Sequence, residues 1–66
     1  MQIIVNGEAL EIPPECTVFQ LLHDQAVSLK ASVVELNGKI LKQEHWQSAS
    51  LQASDRLEIL VFMGGG

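Results

Sequence analysis

The residues from Leu57 onward constrain this chain most. Leu57 to Phe62 reads Leu-Glu-Ile-Leu-Val-Phe, an apolar run of strand length, and after Met63 it passes straight into Gly64, Gly65 and Gly66 with no polar linker. Alternation puts Leu57, Ile59 and Val61 on one face and Glu58, Leu60 and Phe62 on the other, which predicts a strand able to sit inside a sheet. Glycine has no Cβ and accepts nearly all backbone conformations, so the segment leaving that strand can thread a constriction closed to any other residue. Met63 to Gly66 reaches roughly 13 Å when extended, at about 3.3 Å per residue. The competing view of the glycines is a disordered terminus or an expression remnant, but such remnants usually bring Ser, a tag or a protease site, and none follows. The expectation is a flexible working tail over 63–66 with a carboxylate at its tip.

The earlier chain supplies the body for such a tail. Met1, Ile3 and Val5 alternate with Gln2 and Asn6, the period of a half-buried strand, with Ile4 apolar on the outer face. Asn6-Gly7 supplies the positive backbone angles of a type I′ hairpin turn, and Glu8 to Ile12 is the second strand, with Leu10 and Ile12 inward. Pro13-Pro14 ends it, because proline donates no ladder hydrogen bond. Thr17-Val18-Phe19-Gln20 has the pattern of a capping box, so a helix is predicted from Val18 with Val18, Leu21, Leu22 and Ala26 as its apolar stripe. His23, Asp24 and Gln25 then face water. Val27 to Ser32 connects to a second hairpin, Val33 to Leu36 and Lys39 to Leu41, around Asn37-Gly38. In the polar stretch 42–54, Trp46 and Leu51 are expected to plug the open end of the core, and Gln43 to Trp46 to form a short helical turn. The final strand opens at Arg56.

Size and charge narrow the functions open to this order of elements. Sixty-six residues make one domain, too small for a deep enzyme cleft, yet with 47% hydrophobic residues it reads as globular. Eight acidic against four basic residues give a net charge of −4, and Lys30, Lys39, Lys42 and Arg56 are scattered, which argues against nucleic acid as a partner and for a basic protein surface. The single cysteine, Cys16, excludes an internal disulfide and fits a reducing compartment. Neither a basic leader nor an apolar run of membrane-spanning length is read in the chain, so no membrane and a cytoplasmic location are expected.

Individual reactive residues are read as structural. Cys16 precedes the helix, whose dipole can lower a thiol pKa, but a lone cysteine there is more often a small buried filler. His23 and His45 lack a convergent partner and are expected to be solvated, so no metal site is predicted. Trp46 reads as core, since no basic cluster accompanies it. Nothing pairs Asp24, Glu35 or Glu44 into an acid-base site, and no Ser-His-Asp, Walker or dinucleotide pattern occurs.

Hairpin, capped helix, second hairpin, Trp46 in the late loop, Asp55 before the last strand and a terminal Gly65-Gly66 together resemble the ubiquitin-like β-grasp sulfur carriers. The resemblance covers all 66 residues and is strongest to the ThiS group, the small carriers of bacterial thiamine biosynthesis. It implies an α+β fold, a mixed four- to five-stranded sheet with one main helix across one face. It also implies that the chain is not an enzyme but a protein cosubstrate, a free monomer with no bound cofactor. In such carriers a ThiF-like activating enzyme uses ATP and Mg to adenylate the terminal carboxylate, here that of Gly66. A sulfur-relay protein then supplies the sulfur of a thiocarboxylate, and a ThiG-like thiazole synthase takes it. Gly64 is an extra glycine that the motif tolerates. Ile4, Glu58, Leu60, Phe62 and Met63 are the expected partner-binding residues. The rivals are a MoaD-like carrier of the molybdopterin pathway, typically longer, or a carrier for cysteine, methionine or secondary metabolism. A noncovalent binding module and a protein modifier joined to lysines by isopeptide bonds also stay open.

Overall fold

A computed structural model describes residues 1–62 of the chain. The strands are β1 (Gln2–Val5), β2 (Glu8–Glu11), β3 (Ser32–Leu36), β4 (Lys39–Leu41) and β5 (Arg56–Val61), with one helix, α1 (Val18–Asp24), and a short 3₁₀ turn at Gln43–His45. They form one five-stranded sheet in the order β2-β1-β5-β3-β4. The last strand in sequence is therefore the central one in space. It runs parallel to β1, through Ile4 opposite Arg56 and Val5 opposite Leu57, and antiparallel to β3 from Ser32 opposite Val61 to Leu36 opposite Leu57.

Both hairpins turn as their sequences dictate. Asn6 and Gly7 have φ of 49° and 84°, Asn37 and Gly38 of 53° and 86°, the pair of positive angles that a type I′ turn needs and that Asn-Gly accepts with least strain. Each asparagine also reaches across to β5. The Asn6 side-chain amide accepts from the Ile59 N–H at 2.7 Å and donates to the Ile59 carbonyl at 3.3 Å. Asn37 accepts from the Arg56 N–H at 2.9 Å and donates to Asp55 at 3.1 Å.

Helix α1 begins at Val18 as predicted, but only half of the capping box forms. The Thr17 hydroxyl accepts from the Gln20 N–H at 3.1 Å, while no return bond from the Gln20 side chain occurs among the described residues. The other free amides of the first turn are met by the 46–51 loop: Val18 N–H donates to Ala49 at 3.0 Å and Phe19 N–H to Trp46 at 3.0 Å. The helix ends two residues short of the apolar stripe, at Asp24. Ala26 lies outside it, exposed and left-handed at φ 57°. Ala26 N–H bonds to the His23 carbonyl at 3.1 Å and Val27 N–H to that of Leu22 at 3.0 Å, which is a Schellman end. Closing that motif requires a left-handed residue just past the helix, so Ala26 is spent on termination rather than on the core.

The strand ends differ slightly from those expected. β2 stops at Glu11, although Ile12 stays buried and its N–H donates to Met1. β3 starts one residue early at Ser32, because the ladder to β5 extends to Val61. Between the sheet and α1 lies the core of Ile3, Ile12, Cys16, Val18, Leu21, Leu22, Val34, Trp46, Leu51, Leu57 and Ile59. Trp46 closes its end as expected, 2% exposed, with its indole Nε1–H donating to the Leu41 carbonyl at 2.9 Å.

Candidate functional site

The helix covers one face of the sheet, and the alternation along each strand decides what the other face presents. On β5, Leu57 and Ile59 are buried, while Glu58 is exposed and Leu60 and Phe62 are 53% and 60% exposed. Register then assembles the neighbours. Val33 lies opposite Leu60, Glu35 opposite Glu58, and Ile40 opposite Glu35. Ile4, opposite Arg56 and Ala9, extends the face to β1 and is only partly buried. Ile4, Glu58, Leu60 and Phe62 therefore share one uncovered surface, as predicted. Met63 to Gly66, which include the expected acyl terminus, lie outside the described residues.

Three members of this face were not read from the sequence: Val33, Glu35 and Ile40. Ile40 is 68% exposed, a large apolar side chain on an edge strand. Local sequence gives Glu35 no carboxylate partner, yet the β3–β5 register sets it directly across from Glu58. Like charges opposed across a ladder are unfavourable, and no cation answers them within salt-bridge distance among the described residues. The signal lay in a non-local strand pairing, which no local pattern encodes. The result is an apolar surface, Val33, Ile40, Leu60 and Phe62, with an acidic pair at its centre that makes no salt bridge among the described residues and with Arg56 on the same face beside Glu58.

The remaining candidates do not form a reactive centre. Cys16 is 4% exposed, and burial, with a smaller push from the Asp24 charge, raises its thiol pKa above the usual value of 9.0. Burial and the Asp24 charge both disfavour the thiolate, as befits a small buried filler. His23 stacks on Phe19 with ring centroids 6.4 Å apart and sits 3.7 Å from Asp24, exposed. His45 is as far as 4.0 Å from Glu44 and is likewise exposed. A shallow hollow of about 340 Å³ beside α1 is lined by Thr17, Phe19, Gln20, His23 and Gln47, and brings no two charged groups together. No cluster of three His, Cys, Asp or Glu able to hold a metal occurs among the described residues, and none of their helices is long and apolar enough to cross a membrane.

A five-stranded mixed sheet gripping one helix, with a central last strand that leads into glycines, defines a ubiquitin-like β-grasp protein. A crystal structure of the thiamine biosynthesis protein ThiS from Geobacter metallireducens superposes with a TM-score of 0.86 at 33% identity, over 100% of both chains. The solution structure of a thiamine biosynthesis protein from the same organism gives 0.80 at 33% identity, over 100% of this chain and 88% of the other. The sequence pattern of the ThiS family matches residues 3–66, and the chain belongs to that family, the ThiS-like sulfur carriers. It is also 32% identical over its full length to a thiazole synthase of Paramagnetospirillum magneticum, of which it spans 20%.

Proposed function

We propose that this chain carries sulfur as a thiocarboxylate on Gly66 for formation of the thiazole ring of thiamine. A carboxylate is a poor acyl donor, because its charge repels nucleophiles and its leaving group would be oxide. In the proposed cycle a carboxylate oxygen of Gly66 attacks the α-phosphorus of Mg-ATP on a ThiF-like enzyme, and pyrophosphate leaves. The terminal sulfur of a protein persulfide then attacks the acyl carbon and expels AMP. A thiol cleaves the resulting acyl disulfide, leaving the thiocarboxylate and an oxidised disulfide. A thiazole synthase takes the sulfur, and Gly66 returns as a carboxylate.

The observation that carries this reading is the placement of the glycines after a strand held on both sides. β5 is fixed by β1 and β3, so Phe62 leaves the sheet from a rigid point next to an exposed apolar face. The family match supports the sulfur-carrier role, and likeness to part of a thiazole synthase supports that enzyme as the acceptor. The Leu60 and Phe62 side chains, with Ile4 at the margin, would supply the buried part of the docking surface, and Glu35 and Glu58 would meet a cation on the partner.

Intact mass tests the chemistry. Incubated with the activating enzyme, ATP, a persulfide donor and a thiol, the chain should exchange one oxygen for one sulfur. A chain amidated at Gly66 should stay unchanged while still binding its partners. Equal sulfur transfer by the amidated chain would refute the proposal.

A further inference from the structure

The central strand is not paired equally along its length. Its even-numbered residues address β3: the Arg56 carbonyl accepts from Asn37 N–H at 2.8 Å, and Phe62 N–H donates to Ala31 at 2.7 Å. Its odd-numbered residues address the opposite side. Asp55 and Leu57 carbonyls accept from Ile4 and Asn6 N–H groups at 2.9 and 2.8 Å. There β1 ends and the chain turns away. The Asn6 side-chain amide, one donor and one acceptor, then takes the place of a peptide group and satisfies both the N–H and the carbonyl of Ile59. The period of the strand points the N–H and carbonyl of Val61 the same way. No strand of the described residues stands there, and β1 pairs with β5 only as far as Leu57.

We propose that this open edge at Val61 is a docking site for one extended segment of the thiazole synthase, which adds a short strand beside β5 where the chain leaves the sheet. The proposal rests on the reading that thiazole synthase receives the tail. An edge that offers one donor and one acceptor on an extended backbone fits another extended backbone. The neighbouring side chains favour burial: Leu60, Val61 and Phe62 are 53%, 45% and 60% exposed. Main-chain pairing at this position would orient by its backbone a tail that ends in three glycines.

The test uses Val61→Pro in the full chain. Proline has no N–H, and the one it removes serves no internal ladder bond, so the β3–β5 pairing survives. Val61→Ala keeps the N–H and trims the side chain. Affinity for the thiazole synthase of the organism that makes this chain is measured by calorimetry for both. Val61→Pro should bind roughly tenfold more weakly than Val61→Ala, the worth of about one main-chain bond. As a measurement needing no variant, exchange of the Val61 amide of the natural chain should slow at least about tenfold when the enzyme is added, as a backbone hydrogen bond forms. Equal binding by the two variants, or an amide that exchanges as fast in the complex as free, overturns the proposal and leaves the sulfur-carrier reading standing. Failure of the natural chain to bind the enzyme at all overturns this proposal and the choice of acceptor. Protection of Val61 that rises with the concentration of the chain alone assigns the edge to a second copy and overturns it as well.

Discussion

Replacing Asn6 by glycine separates the two tasks of that residue. Glycine keeps the left-handed turn at φ 49° without strain, so the hairpin should persist, but the amide that holds Ile59 is lost. Ile59 is 9% exposed, and water has poor access to replace the two bonds. A net hydrogen bond contributes about 0.5–1.5 kcal/mol, so the pair contributes about 2 kcal/mol. A chain of this size has a total stability on the order of 3–10 kcal/mol. At about 4–8 °C per kcal/mol, Asn6→Gly should lower the melting temperature by roughly 8–16 °C. Added unfolded-state entropy contributes part of any such loss, and Asn37→Gly is the control: it changes the same turn chemistry but loses only one bond to β5 backbone, that to Arg56, in an exposed setting. The drop measured by calorimetry should be clearly larger for Asn6→Gly, and amide exchange should quicken first at Ile59. Equal shifts in the two variants, or an unchanged Ile59 amide, would refute the assignment of a backbone-like role to the Asn6 side chain.

Ala26→Gly should stabilise the chain by about 0.5–1 kcal/mol in thermal unfolding, because it places the favoured residue at the left-handed helix end. Glu58→Gln removes one of two opposed carboxylates and should raise stability by about 0.5 kcal/mol while slowing association with a basic partner, read by stopped-flow at low salt. Cys16 should resist iodoacetamide at neutral pH until the chain unfolds. Its folded pKa is raised above 9.0, so the unfolded state loses the proton first, and stability should fall as pH rises above about 9; Cys16→Ala should flatten that alkaline slope. Trp46→Ala should cost about 3–5 kcal/mol, comparable to the whole stability, and circular dichroism should show a largely unfolded chain.

Much of the fold was legible because its signals are local. Asn6-Gly7 and Asn37-Gly38 marked both hairpins, Thr17 marked the helix start, and alternation over Leu57 to Leu60 marked which side chains are covered, whereas Val61, on the same face as Ile59, is 45% exposed. The β-grasp order followed from resemblance to a family, and the sheet bears it out. What stayed hidden depends on pairing between distant strands. Glu35 and Glu58 carry no mark of their meeting, and the Asn6 amide reads as turn chemistry until β5 is placed beside it. Ala26 misled for a physical reason: its spacing suits the apolar stripe, but a helix end needs a left-handed residue, and the Schellman end took that position. Only the Thr17 half of the capping box forms, and the Val18 and Phe19 amides, which such a box does not serve, go to carbonyls of the distant 46–51 loop that no local pattern encodes.

A sheet whose middle is written last sets the order in which it can be assembled. While the chain is being made, each hairpin lacks its central neighbour, and neither can be enclosed until Arg56 to Val61 arrives between them. Joining Ile4 to Arg56 closes a long loop, so entropy places the barrier at that final insertion. Substitutions at Leu57 should therefore slow refolding, whereas those in β2 or β4 should chiefly hasten unfolding.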